Sequence, residues 1–183
     1  MVRMPYQIYF SLMSNICPGK GRCNLNKGLR KGYRKEIIDE DYFISVGKIM
    51  IDDKSLYLGA NKDEIIRLLG EPEMIREQYG GGTWRHFYFN SDLAFDYNSE
   101  GRLEYIEFLG GHDGILKPYI YGVSAFDTEQ KELVKILSEN NNGDVDDSER
   151  CSYAFTGSSV SVWTEDDEEF WMTIGMGEKG YYC

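Results

Sequence analysis

Asp63-Glu-Ile-Ile-Arg-Leu-Leu-Gly-Glu71 and Lys131-Glu-Leu-Val-Lys-Ile-Leu-Ser-Glu139 are two versions of one pattern. The first places Ile65, Ile66, Leu68 and Leu69 at i, i+1, i+3 and i+4. The second places Leu133, Val134, Ile136 and Leu137 at the same spacing. That spacing gathers the apolar residues on one side of a helix. Asn61 is followed three residues later by Glu64, and Asp127 by Gln130. Both pairs have the form of a capping box, in which each side chain satisfies a free amide at the helix start. Gly70 and Pro72 predict the end of the first helix, and Asn140-Asn-Asn-Gly143 the end of the second.

Short alternating segments follow each helix. After the first, strands are expected at 83–89, 92–97 and 102–109, with turns at Asn90-Ser91 and Asn98-Ser-Glu-Gly101. After the second, they are expected at 151–155, 159–164 and 169–174. The offset between matching positions stays between 66 and 68 residues. One helix match could arise by chance, but helix, caps and three strands in the same order argue for a repeat. Upstream, Lys48 to Leu58 reads as a further hairpin.

The expected fold is therefore α+β. Two tandem units, each a helix on an antiparallel meander, would form one extended sheet with helices on one face. The chain divides into an N-terminal extension (1–46), a first unit (47–110), a linker (111–124) and a second unit (125–183).

Strand alternation then assigns faces. Phe87, Phe89, Leu93, Phe95, Ile106 and Phe108 are expected toward the helix in the first unit. Phe155, Val160, Val162, Met172 and Ile174 are expected there in the second. The opposite face would show Trp84, His86, Tyr88, Asp96, Tyr105 and Glu107, with Tyr153, Ser161, Trp163, Trp171 and Thr173 from the second unit. Such an aromatic and acidic surface suits protein recognition, because Tyr and Trp are enriched at binding hot spots. The same rings could instead be covered by the extension or pair across strands.

Charge narrows the partners. The chain has 183 residues and a net charge of −11. Residues 1–35 carry eight bases and no acid, which leaves 12 bases against 31 acids in the rest, a net −19. A body this acidic repels phosphates and attracts basic proteins. The basic extension is open to two readings, a nucleic-acid arm or a segment that folds back on the acidic body. No run of 18 apolar residues predicts a membrane span, and residues 6–16 fit a secretory signal poorly. A cytoplasmic location is expected. Cys17 and Cys23 lack zinc-knuckle spacing, and free thiols are the expectation in cytosol.

The stretch Leu58-Gly-Ala-Asn-Lys-Asp-Glu-Ile-Ile-Arg-Leu-Leu-Gly-Glu-Pro72, followed by Trp84, Phe87 and Tyr88, resembles the tandem-repeat fold of beta-lactamase inhibitor proteins and of small outer-membrane lipoproteins of the SmpA/OmlA kind. The likeness covers about residues 48–175 and is stronger in the first copy, since the second lacks the Gly-x-Pro end. As a class, an acidic binding protein in the cytoplasm also resembles bacterial immunity proteins, which neutralise a toxin domain.

Familiar catalytic patterns are missing. The sequence has no phosphate-loop motif and no Gly-x-Ser-x-Gly, and Gly80-Gly81-Gly82 precedes a strand rather than a helix. Asp144, Asp146, Asp147 and Glu149 have the composition of a calcium loop but not its spacing. No enzyme activity, cofactor, metal, nucleic acid or membrane is expected. The expected function is inhibition of a basic toxin domain, a nuclease among the candidates, by occluding its active site. Envelope scaffolding of the small-lipoprotein type is the alternative, and a small hydrolase the third. The residues expected to bind the partner are Tyr88, Asp96, Tyr105, Glu107, Trp163 and Trp171, with Asp144, Asp146 and Asp147 as a second patch.

Overall fold

A computed structural model describes residues 6–11, 47–51, 54–77, 83–166 and 168–182. The basic stretch beyond Ser11, with Cys17 and Cys23, lies outside the described residues, as does Gly80-Gly81-Gly82. In chain order the elements begin with β1 (Tyr6–Ser11), β2 (Lys48–Ile51), β3 (Lys54–Tyr57) and α1 (Lys62–Leu69). There follow β4 (Met74–Glu77), β5 (Trp84–Tyr88), β6 (Leu93–Tyr97), β7 (Leu103–Phe108), β8 (Leu116–Ile120) and β9 (Val123–Ser124). The last are α2 (Gln130–Asn141), β10 (Val145–Asp146), β11 (Ser152–Phe155), β12 (Val160–Trp163) and β13 (Thr173–Gly177). Sheet dominates, most of it antiparallel, with two helices, so the fold class is α+β.

The larger sheet runs β10-β11-β12-β13-β7-β6-β5-β4, and every neighbouring pair in it is antiparallel. The smaller runs β3-β2-β1-β8-β9, with β1 parallel to β8 and antiparallel to β2. The stretch read as a linker thus carries β8 and β9, and six residues of the extension form the central strand β1. The hairpin expected at 48–58 is β2 and β3.

Helix α1 starts where the sequence places it. Asn61 accepts from the Asp63 amide at 2.9 Å, and Glu64 reaches back to the Asn61 amide at 3.3 Å. Gly70 closes the helix at φ +92, where a side chain would be strained, and its amide donates to Ile66 at 2.8 Å. Asn61→Ala is expected to cost about 1 kcal/mol of stability, read from urea unfolding. Helix α2 differs from expectation. Its N-cap is Glu129, which makes no side-chain cap bond. Asp127 is occupied elsewhere, accepting from the Ser124 hydroxyl at 2.7 Å and lying 3.0 Å from His112 Nδ1. Gln130, one residue inside, donates instead to the carbonyls of Glu168 and Phe170.

Alternate residues of the larger sheet enter a buried apolar cluster. Tyr88, Leu93, Phe95, Ile106 and Phe108 come from one half, and Phe155, Val160, Val162, Ile174 and Met176 from the other. The same cluster takes in Ile65 of α1, Leu133 and Leu137 of α2, and Ile49, Ile51, Leu56, Leu116 and Ile120 of the smaller sheet. This is the covered face. The residues between them in each strand form the open face.

Two expected placements are corrected here. In β5, Trp84, His86 and Tyr88 pair with Tyr97, Phe95 and Leu93, so His86 and Tyr88 lie on the covered face and Arg85 and Phe87 on the open one. The cause is the turn. Phe89, Asn90 and Ser91 all have positive φ, so the strand ends at Tyr88, one residue before the expected end. A one-residue change of register exchanges the faces of a strand. In β13 the strand begins at Thr173 rather than at 169. Trp171 precedes it and turns inward, 2% exposed, with Nε1 3.4 Å from the Gln130 carbonyl and its ring edge-on to Tyr153. Tyr153 accordingly packs against the core as well.

Candidate functional site

The strand register sets a row of residues across the open face: Asp146, Ala154, Ser161, Gly175, Glu107, Ala94, Phe87 and Met74. Ala154, Ser161 and Gly175 are adjacent and small, which leaves a shallow trough between the flanking rows. Ser152, Trp163 and Thr173 form the row on one side. Gly177, Tyr105, Asp96, Arg85 and Arg76 form the row on the other.

Asp96, Tyr105 and Glu107 are therefore brought together, around a residue that the sequence reading did not single out. Arg85 lies 3.5 Å from the Asp96 carboxylate and donates to Glu107, bridging the two acids. Without the guanidinium, two carboxylates on neighbouring strands would repel each other. Tyr105 is buried beside them. Its hydroxyl joins those of Ser161 and Tyr182 in a closed triangle of 3.0, 2.7 and 2.9 Å. Its ring is stacked on Tyr181, with centroids 4.8 Å apart and planes at 11°.

Two glycines make room for this arrangement. A Cβ on Gly175 would lie 1.7 Å from the Tyr105 hydroxyl oxygen, and one on Gly177 would lie 2.5 Å from Tyr181. Alternate glycines on one strand face mark a close approach by another group. That was the available sequence signal: Thr-Ile-Gly-Met-Gly has glycines two apart, on the face opposite Ile174 and Met176.

Trp163 also stands on the open face, 41% exposed. Asp144, Asp146 and Asp147 are all exposed at the β10 edge, and Asp146 points to the open side, opposite Ala154. The Ser148 hydroxyl and amide hold the Asp146 carboxyl below its usual range. Asp166 adds an acid near the same end, paired with Arg150 at 3.0 Å. Tyr88 and Trp171 do not belong to this surface, because both are buried on the covered side. No protein family, curated protein or solved structure matches the chain.

The Cys151 thiol donates to Asp166 at 3.0 Å, which raises its pKa, the reverse of an activated nucleophile. The His112 ring lies on Phe170 and faces Asp127. Burial acts to raise the Asp127 carboxyl, but the Ser124 hydroxyl and Lys117 together hold it low. Among the described residues, no three His, Cys, Asp or Glu side chains are grouped to hold a metal ion. None of the helices described is long and apolar enough to cross a membrane.

The tyrosines give the fold an alkaline limit. Burial pushes Tyr182 and Tyr88 up to about 12, and raises Tyr97 and Tyr105 further. In the unfolded chain the same phenols ionise near pH 10, roughly their unperturbed value. The folded state then holds more protons than the unfolded state. Stability is complete below about pH 10 and is expected to fall as the pH rises above it. Urea midpoints measured between pH 9 and 12 would show the decline. The phenolate absorbance of these buried tyrosines should appear together with unfolding, not before it.

Proposed function

We propose that this chain is an inhibitory protein-binding module, an immunity protein that occludes the active site of a basic toxin domain such as a nuclease. The observation that carries this reading is the open face. Exposed Trp163 stands on it, with exposed Asp146 at its β10 edge, in a body whose residues beyond 35 carry a net −19. The aromatic ring supplies an anchor, and the acids speed encounter with a basic surface and reject acidic ones. In this reading carboxylates take the positions of substrate phosphates, the chain performs no chemistry, and it acts in the cytoplasm of the cell that makes the toxin.

We also infer that the body is a duplicated unit, with both helices on the covered face. Each helix is followed by four strands of the larger sheet, whose order is mirrored about the β13–β7 junction. Ile174 pairs with Phe108 and Met176 with Ile106 across that junction. A two-fold relation would match Ile106 with Ile174 and Phe108 with Met176, each 68 residues apart, the same offset as between Asp63 and Lys131.

The test is a rescue experiment. The C-terminal region of the protein encoded immediately upstream is expressed with and without this chain, and growth is followed. Arrest that only this chain relieves, with co-purification of the two proteins, is the expected result. Arrest without relief would overturn the pairing.

A further inference from the structure

The segment from Glu178 to Tyr182 lies across the open face without joining a strand ladder. The Glu178 amide donates to the Glu104 carbonyl at 3.0 Å, and the Gly180 amide to the Ser159 hydroxyl at 3.2 Å. Gly180, at φ +87, lies between Glu178 and the two tyrosines. Tyr181 then stacks on Tyr105, and the Tyr182 hydroxyl closes the triangle with Ser161 and Tyr105. The two rings meet each other edge to face, with centroids 5.1 Å apart. Beyond the Glu178 amide, side chains hold residues 179–182 to the face, so these residues can lift while the β12–β13–β7 ladders stay paired. Gly177 leaves no Cβ where the Tyr181 ring lies, and Gly175 leaves none where the Tyr105 hydroxyl that meets Tyr182 lies.

We propose that the middle of the open face is a binding site for a short polypeptide turn carrying two adjacent aromatic residues, one with a hydroxyl. Tyr181 and Tyr182 fill it within the chain, and a partner's residues of the same kind replace them. The inference rests on the reading that the open face is the contact face, and it names the chemistry that a partner presents there. Ser161 and Tyr105 offer hydroxyls to the incoming side chain, and Arg85 with its two carboxylates borders the stacked ring.

The full chain tests this without any toxin. The probe is a fluorescently labelled peptide, Glu-Lys-Gly-Tyr-Tyr, copied from residues 178–182. A site occupied from within for nine-tenths of the time binds a competitor about tenfold more weakly than an open one. The variant Tyr181→Ala/Tyr182→Ala is therefore expected to bind the peptide at least about tenfold more tightly than the original chain. A peptide ending in Tyr-Phe should bind that variant less well than the Tyr-Tyr peptide. Equal binding to both chains, or none to a folded variant, would overturn the proposal. If the double variant fails to fold, Tyr182→Phe keeps the ring and takes its place, with tighter peptide binding than the original chain as the expected result and unchanged binding as the overturning one. Failure here leaves the rescue experiment untouched, since no toxin enters the assay.

Discussion

Trp171→Ala is expected to reduce the unfolding free energy by about 3–5 kcal/mol, the usual cost of deleting a large aromatic ring from a packed interior. Trp171 is 2% exposed, and it joins three parts of the fold. Its Nε1 reaches the Gln130 carbonyl at the start of α2. Its ring meets Tyr153 of β11 at 5.8 Å, edge-on. Its backbone leads directly into β13. Alanine would leave a cavity between helix and sheet and remove the indole donor. For a chain of this size the melting temperature should fall by roughly 10 °C. Urea unfolding with an unchanged slope would give the free energy directly. A loss below about 1 kcal/mol, the range of surface substitutions, would return Trp171 to the exposed face where alternation alone had put it.

That misplacement shows where sequence periodicity succeeds and where it runs out. The helices were legible because their apolar spacing is compatible with one element only. Asn61 and Gly70 then fixed the ends of α1 through local backbone chemistry. The hairpin strands β5, β6, β7, β11 and β12 were legible from alternation and turn residues. Faces were harder. Trp84-Arg-His-Phe-Tyr88 has aromatic residues on both parities, so alternation alone cannot choose, and the choice passed to a turn that begins at Phe89. Strand β4 is a short edge strand with exposed Ile75, and β10 has two residues. Such elements exist through pairing with a neighbour rather than through their own pattern. Strand β1 pairs with β8 across more than 100 residues of sequence, a relation that no local window contains.

The candidate site follows the same division. Asp96, Tyr105, Glu107 and Trp163 lie on the open face because their alternation was read correctly. Arg85 was missed as a consequence of the β5 register. It stands opposite Asp96, and it turns what read as an acidic face into a bridged cluster at its centre. Exposed acids lie instead near the β10 end, at Asp144 and Asp147. Tyr181 and Tyr182 were also missed, although Gly177, which admits Tyr181, is visible in the sequence. Reading Gly175 and Gly177 as a signal requires knowing which strand face they share, and that knowledge came only from the register of β13 against β7.

Trp163→Ala provides the contrast with Trp171. Under the proposed function it is expected to weaken binding of the toxin domain by about 2 kcal/mol or more, the scale of an interface hot spot, and to change stability by less than about 1 kcal/mol. At roughly 1.4 kcal/mol per factor of ten, the affinity would fall about thirtyfold. Trp163 has the position for this role. Its neighbours on the open face, Ser152 and Thr173, are too short to cover the indole. Acids nearby should act differently. Asp146→Asn removes a charge at the exposed edge and should slow association and weaken its salt dependence, while leaving dissociation nearly unchanged. Titration of the purified toxin domain with each variant, at low and high salt, separates the two effects. Unchanged affinity for Trp163→Ala in a folded chain would move the contact away from this end of the face. The Arg85 cluster and the trough beneath Tyr182 would then be the surface to map, because the charge bridge and the aromatic contacts of the open face are concentrated there.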